Sequence, residues 1–412
     1  MGQSAPREHV PWSTRAALSI YVTMLVVGVL SPAPQHTPLE PDPVSGAIIG
    51  QLADAIRNVV LFLPIGAGLM MWRRSAVAAV VLGLSLSVAI ELVQQFVPGR
   101  HPSLVDLGAN SLGSALGAGL YFLRREWLAP TQSARLALAA WLGAAALLAG
   151  GALLLRPVQT DATYFGGWTP ELGHLERYDG RVLEARVGTV AISSGGPVGD
   201  TARLREALLS KAPIVIRAVA GIPPAAIAPL VTINDAIGHE ILFIGLDGAD
   251  LVVRWRTRGA SLGFESPNLR FPDALAGLAV GQSFTLQLKR TGRAVHLELA
   301  GRTHSPLRWT PGRTWALLVP GASLSVPVAT ALDVVWLALL VMPAACLART
   351  RSGLLAVLGG FAGLLFAMPL LGPIGRPPAH EWFGLALAGL AAAAGRRIAL
   401  AGPKAADGLD TS

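Results

Sequence analysis

The chain has 412 residues, of which 52% are hydrophobic and 14% charged, with a mean hydropathy of +0.52 and a formal net charge of +8. Soluble globular chains carry about 25% charged residues, so a wholly soluble enzyme and a disordered tail are both excluded. The single cysteine, Cys346, excludes an intrachain disulfide and a cysteine-built zinc site.

A helix that spans a bilayer needs about 20 mainly apolar residues. In chain order the candidate spans are Ala16 to Leu30, Ile56 to Trp72, Ala76 to Val97, Leu107 to Leu123 and Leu136 to Leu155. Three more follow near the C-terminus: Val326 to Leu347, Leu354 to Leu371 and Trp382 to Ala394. The first reads as a retained helix, because Pro34 follows the small residues Ser31 and Ala33 where a signal peptidase would cut. The proline-rich stretch Ser31 to Val44 reads as an extended loop. Within the second span, Pro64 and Gly66 predict a kink. Gly113 and Gly117 predict a close helix contact in the fourth. Trp72, Trp127 and Trp382 stand at span ends, as interfacial anchors do.

The basic residues test this arrangement. Outside 156–325 there are 15. Alternating the spans from a cytoplasmic N-terminus puts 12 of them inside and only Arg57, Arg100 and Arg376 outside. Both termini are therefore expected in the cytoplasm, with 156–325 outside the membrane. The basic pI of about 10.5 follows from topology, and nucleic acid is not an expected partner.

Residues 156–325 have a different texture. Phe284, Leu286 and Leu288 alternate with Thr285, Gln287 and Lys289, and after a turn at 290–293 Val295, Leu297 and Leu299 alternate with His296 and Glu298, which predicts a hairpin. A second hairpin is predicted from Glu240 to Arg256, turned at Asp247-Gly248. Further strand-like runs are Arg181 to Ile192, Pro213 to Ala220 and Thr314 to Val319. The spacing predicts a two-sheet antiparallel sandwich. Its run from Ala228 through Asp235, His239 and Asp250 to Arg254 resembles the concanavalin A-like/laminin G jelly roll. That resemblance implies a carbohydrate or other envelope ligand. It leaves two readings of Asp235, Asp247 and Asp250: calcium carboxylates, or the geometry of β-turns.

The densest polar signal lies within the apolar N-terminal region. Arg57 and Asn58 stand at one end of the second span. Glu91, Gln94 and Gln95 fall on one helical face of the third, Arg100 and His101 occupy the following loop, and Asp106 and Asn110 share a face of the fourth. The blocks Asp54 to Gly66, Ile90 to Arg100 and Asp106 to Gly117 resemble, in order, the VanZ-like family of bacterial membrane proteins. The resemblance covers about a sixth of the chain. It implies a bacterial cytoplasmic membrane location and a link to glycopeptide resistance or envelope maintenance, and it brings no agreed reaction.

Read as residues, the cluster has two interpretations. In one, Glu91 pairs with Arg57 or Arg100 and the amides bond neighbouring helices. In the other, the groups line an outer-leaflet pocket for an anionic lipid headgroup or lipid-linked precursor, with arginines on phosphate and Glu91 or Asp106 as base. Asp333, near an end of the sixth span, reads as a lone interfacial acid. No histidine has metal-ligand spacing, and no phosphate loop, dinucleotide fingerprint or nucleophile elbow is found, so no metal or other cofactor is expected.

The expectation is an α-helical polytopic membrane protein of about eight spans with an inserted all-β, jelly-roll-like sandwich. Its parts are a five-helix module (1–155), the sandwich (156–325) and a three-helix module (326–412). Binding of a glycan or other envelope component is preferred to catalysis. The rivals are a membrane enzyme or lipid-handling protein acting through the polar cluster, and, less favoured, a transporter, since no inverted repeat is evident.

Overall fold

A computed structural model describes residues 12–30, 52–73, 75–97, 103–123, 130–172, 175–319 and 324–401. It divides into two compact units, Met1–Leu128 and Ala129–Ser412. Arg100, His101, Trp127 and the stretch Ser31 to Val44 lie outside the described residues.

Among its described residues the first unit contains four helices: α1 (Trp12–Leu30), α2 (Leu52–Arg73), α3 (Ala76–Gln94) and α4 (Leu104–Phe122). Local chemistry sets two of the starts. Ser75 and Ser103 have extended backbones, and their hydroxyls accept the N–H of Ala78 at 3.2 Å and of Asp106 at 3.3 Å. Each thereby satisfies a donor that has no intrahelical partner. α2 runs unbroken through Pro64.

Glycine governs how α2 and α4 pack. A Cβ on Gly117 would collide with the Leu63 carbonyl, and one on Gly113 with the Val59 carbonyl; a Cβ on Gly66 would meet the Ser114 carbonyl in return. The expected small-residue contact therefore runs along both helices, and Gly66 serves close approach. On α3, Ala79, Gly83, Ser87 and Glu91 recur every fourth residue, and all four are buried.

The second unit contains α5 (Pro130–Leu154), two antiparallel sheets and α7 (Val326–Leu347), α8 (Arg351–Leu371) and α9 (Ala379–Ala401). A short helix, α6 (Thr201–Leu209), is capped by Asp200, which accepts the Arg203 N–H at 2.9 Å. The first sheet has strand order β4-β1-β6-β7-β8-β9: β1 (Tyr164–Trp168), β4 (Gly195–Pro197), β6 (Ala228–Asp235), β7 (Glu240–Asp247), β8 (Asp250–Trp255) and β9 (Leu269–Phe271). The second has order β12-β11-β10-β5-β2-β3: β2 (Arg181–Val187), β3 (Val190–Ala191), β5 (Ile214–Val219), β10 (Ser283–Thr291), β11 (Ala294–Leu299) and β12 (Arg302–Thr303).

Both predicted hairpins form. Asp247 pairs with Asp250 across a turn in which Gly248 has φ +61°, and Thr291 pairs with Ala294 across one in which Gly292 has φ +61°, a backbone region that glycine enters without steric cost. The two sheets share one core, with Ile216, Leu286 and Leu288 of the second and Leu242, Ile244 and Leu251 of the first all buried in it. The all-β domain is thus two antiparallel sheets, an arrangement compatible with a sandwich. The core continues through Leu148 and Leu155, Leu337 and Val341, and Phe361 and Leu365 of the helices.

One predicted element is wrong in kind. Thr314 to Val319 is no strand; residues Gly312–Leu317 form a 3-10 helix. The run is apolar and β-prone, but it pairs with no sheet and buries Trp315, Ala316 and Leu317. Short apolar runs do not declare their state by periodicity.

Five helices are long and apolar enough to cross a membrane: α2, α3, α5 from Gln132, α7 and α8. α1, α4 and α9 coincide with predicted spans and are helical, but they fall outside that set. α4, for example, carries Asp106, Asn110, Ser111 and Ser114 within 19 residues. The expectation of about eight spans is therefore met as helices and reduced to five as membrane-crossing candidates among the described residues.

Candidate functional site

The polar cluster of the first unit is assembled at the end of α3 and the start of α4. Glu91 is nearly buried, and its Oε2 accepts the backbone N–H of Ser103 at 2.9 Å. Ser103 in turn caps Asp106. In a capping box the acid three residues into the helix returns to the N-cap N–H; here Asp106 holds that position, while an acid from the neighbouring helix accepts the bond. The placement also sets a carboxylate against the positive end of the α4 dipole.

One turn deeper, the Asn110 amide donates to Ser87 Oγ at 2.9 Å. Asn110 Oδ1 and Ser114 Oγ are buried and make no hydrogen bond. Buried polar atoms are nearly always paired, so these two mark the α3–α4 seam as more than apolar packing.

The other predicted members divide. Gln94 is buried beside Glu91, whereas Gln95 caps the C-terminus of α3 and is exposed. Arg57 pairs with Asp54, one turn earlier on its own helix, a partner that sequence reading did not include. Asn58 and Asp106 are half-buried. Arg100 lies outside the described residues. The structure thus brings Glu91, Gln94, Asp106 and Asn110 into one neighbourhood with two residues that the sequence reading missed, Ser87 and Ser103. The fourfold spacing of Gly83, Ser87 and Glu91 was the signal for Ser87, and the Ser103-x-x-Asp106 pattern the signal for Ser103.

A second polar cluster, in the second unit, was not anticipated. Asp333 is no lone acid; it is 1% exposed and partnered. Arg313 forks onto it, Nε to Oδ1 and a terminal nitrogen to Oδ2, both at 2.9 Å. Trp315 Nε1 donates to Oδ1 at 2.7 Å, and His380 Nε2 stands 3.3 Å from Oδ2. Glu381 is fully buried beside them, and a Cβ on Gly312 would lie 2.7 Å from its Oε1. Trp336 Nε1 bonds Thr314 Oγ1 at 2.9 Å. The 3-10 helix 312–317 is thereby fastened to α7 by charge-assisted and indole hydrogen bonds, and His380 brings α9 to the same Asp333.

Asp333, His380 and Glu381 each offer a ligand atom, and the three lie within 4.8 Å of one another. A cation there would have to displace Arg313, which already occupies both oxygens of Asp333, so the donor set fits an ion-paired junction better than a metal centre. The turn carboxylates of the β domain are also engaged. Asp247 pairs with Arg270, whose other terminal nitrogen lies 2.8 Å from Asp250. Asp235 accepts the backbone N–H of His239 at 2.8 Å and that of Ile237 at 3.2 Å.

The two sheets differ in what they leave open. β6 and β7 are buried on both faces along nearly their whole length. β10 alternates, with Thr285 and Lys289 exposed and Phe284, Leu286 and Leu288 buried. In register with it, Glu184, Arg217 and Thr285 form one row of polar side chains, and Arg186, Val215, Gln287 and Glu298 form the next, with Val215 its one apolar member. Arg217 lies 3.3 Å from Glu184.

Comparison with known proteins bears on the first unit. No curated protein and no solved structure matches the chain. Residues 16–125 match the family model described as VanZ/LLP1, a stretch that contains the predicted resemblance and extends it to α1.

Proposed function

We propose that this is a multi-pass membrane protein of the cell envelope that works by binding, with the β domain holding a hydroxyl-rich envelope component, in the first instance a glycan. The observation that carries the reading is the open polar face of the second sheet. Glu184, Arg186, Arg217, Thr285, Gln287 and Glu298 supply both donors and acceptors on a rigid antiparallel frame, as recognition of many hydroxyls requires. The 312–317 junction ties this domain to α7. The arginine distribution supports cytoplasmic termini with the β domain outside.

The test is binding of soluble envelope polysaccharide to the full-length protein in lipid nanodiscs, by calorimetry. Saturable binding that Arg217→Ala together with Gln287→Ala weakens by about ten-fold or more supports the reading. Equal binding by wild type and variant, or none with any envelope fraction, refutes it.

A second reading is favoured by one observation, the unpaired Asn110 Oδ1 and Ser114 Oγ. In it the α3–α4 seam admits part of a lipid-linked anionic molecule, beside Glu91. Loss of envelope function in Glu91→Gln with unchanged abundance and melting temperature supports this site. Parallel loss of abundance assigns Glu91 to the α4 cap alone. The link to glycopeptide resistance is tested separately, by drug susceptibility of a deletion strain.

A further inference from the structure

A cavity of about 560 Å³ lies in the second unit where the β domain meets the end of α8. Three arginines from three separate segments line it. Arg293 comes from the β10–β11 turn, Arg308 from the segment after β12, and Arg376 from the loop between α8 and α9. The opposite wall is apolar: Phe366, Pro369 and Leu370 of the last turns of α8. Phe366 and Leu370 are 64% and 83% exposed.

The site is built rather than incidental. Arg293 Nε donates to the Gly372 carbonyl at 3.2 Å, which holds the hairpin tip over the helix end. The Gly375 N–H bonds the Trp309 carbonyl at 2.8 Å, bringing the α8–α9 loop against the Arg308 segment. The Arg308 stem lies so close on Gly375 that a Cβ there would collide with its Cδ. No carboxylate stands within 4.0 Å of any of the three guanidinium groups among the described residues, whereas Arg205, Arg254, Arg270 and Arg313 all have one. The three arginines are exposed and carry no carboxylate partner among the described residues, so together they make the cavity attractive to an anion. Guanidinium forks fit phosphate in particular.

The apolar wall identifies the anion's source. α8 is a membrane-crossing candidate, so its last turns stand at the membrane interface. A soluble anion gains nothing from exposed Phe366 and Leu370. A lipid places phosphate among the arginines and its chains along these side chains.

We propose that the Arg293–Arg308–Arg376 cavity binds the phosphate headgroup of an anionic membrane lipid, whose acyl chains lie against the end of α8. The proposal is independent of the glycan reading, because no residue is shared.

The experiment is native mass spectrometry of the full-length protein in detergent with added phosphatidylglycerol, then with phosphatidylcholine. One tightly held phosphatidylglycerol, absent with phosphatidylcholine, is expected. Arg376→Gln should reduce its retention about ten-fold, and the triple Arg293→Gln, Arg308→Gln, Arg376→Gln should abolish it. Arg351→Gln, at the other end of α8, should leave it unchanged. Retention that survives the triple variant, or that falls equally in Arg351→Gln, overturns the proposal, since bulk attraction to basic residues would explain it. Inorganic phosphate at millimolar concentration that raises the melting temperature through the same arginines while no lipid is held also overturns it, in favour of a soluble anion. If the triple variant fails to fold, Arg376→Gln alone decides, because that side chain is exposed.

Discussion

Two buried carboxylates, one in each unit, sit near helix ends and do different physical work. Glu91 accepts one backbone N–H, from the N-cap of the neighbouring helix, and beside it lie polar atoms without partners. Asp333 accepts from Arg313 twice and from Trp315, with His380 at its other side. The first neighbourhood keeps hydrogen-bonding capacity in reserve; in the second both oxygens of Asp333 are engaged, while those of buried Glu381 beside it have no hydrogen-bond partner. A saturated buried carboxylate fastens elements together, whereas an unsaturated seam retains the means to take up something else. The comparison separates Asp333, a carboxylate that fastens, from Glu91, whose neighbourhood can still accept a bond.

The largest expected effect breaks the saturated side. Asp333→Ala leaves Arg313 and the Trp315 indole without their acceptor. Removing one partner of a buried ion pair costs about 3–5 kcal/mol. The cost should appear as a large drop in melting temperature of the detergent-solubilised protein, with the second unit's tryptophans reporting the transition. A shift no larger than that of a surface substitution would mean that the junction is not a fastening.

Next comes a contrast of glycines. A Cβ on Gly117 meets backbone: the Leu63 carbonyl, its carbon at 2.9 Å and the Ala67 nitrogen at 2.9 Å. On Gly312 it meets side chains, those of Glu381 and Asp333. Backbone cannot turn aside, so Gly117→Ala must part α2 from α4, at a cost of about 1–3 kcal/mol. Gly312→Ala should cost less, since the Glu381 carboxyl can swing. Equal destabilisation in chemical unfolding would show that the Glu381 carboxyl is as immobile as backbone.

Glu91 follows. Glu91→Ala removes the acceptor for the Ser103 N–H and should cost about 1–2 kcal/mol, in the range of a lost N-cap. Glu91→Gln keeps an acceptor oxygen and should cost clearly less. If the two variants destabilise equally, the charge against the α4 dipole outweighs the hydrogen bond.

How far these features were legible in sequence follows from the distance between partners. The hairpins were readable because period two and a glycine turn are local signals: Asp247-Gly248 lies between strands that pair with each other. Glu91 was readable because a carboxylate in an apolar run stands out, and Asn110 because it shares a helical face with Asp106. Gln95 was misplaced beside them, since α3 ends at Gln94 and the next residue lies at the outer edge of the buried stripe. Asp333 was seen and misread. Its partners lie 20 and 47 residues away in Arg313 and His380, and no period links them. Arg313 directly precedes the run read as a strand, Thr314 to Val319, so nothing in the pattern sent it toward a helix. The three arginines of the α8 cavity were invisible for the same reason, each coming from a different loop.

The smallest expected effect tests whether the β domain's own carboxylates are structural. Burial pushes the pKa of Asp235 upward, but the hydrogen bonds from the backbone and ring of His239 outweigh it, and the group is held below its ordinary value of 3.8. A depressed folded pKa means that the unfolded chain binds the proton more readily. The stabilisation is therefore complete above the unfolded pKa and is lost as pH falls through the folded one. Melting temperature should decline as pH is lowered from about 4 towards 2, within the window where the two pKa values differ. Asp235→Asn, which cannot ionise, should start from a lower melting temperature and decline less across that window. Parallel curves would assign the acid loss to other carboxylates and leave Asp235 an uncharged turn-former. A converging pair would place it with Asp333, among the acids that this chain uses to hold its segments together rather than to receive a ligand.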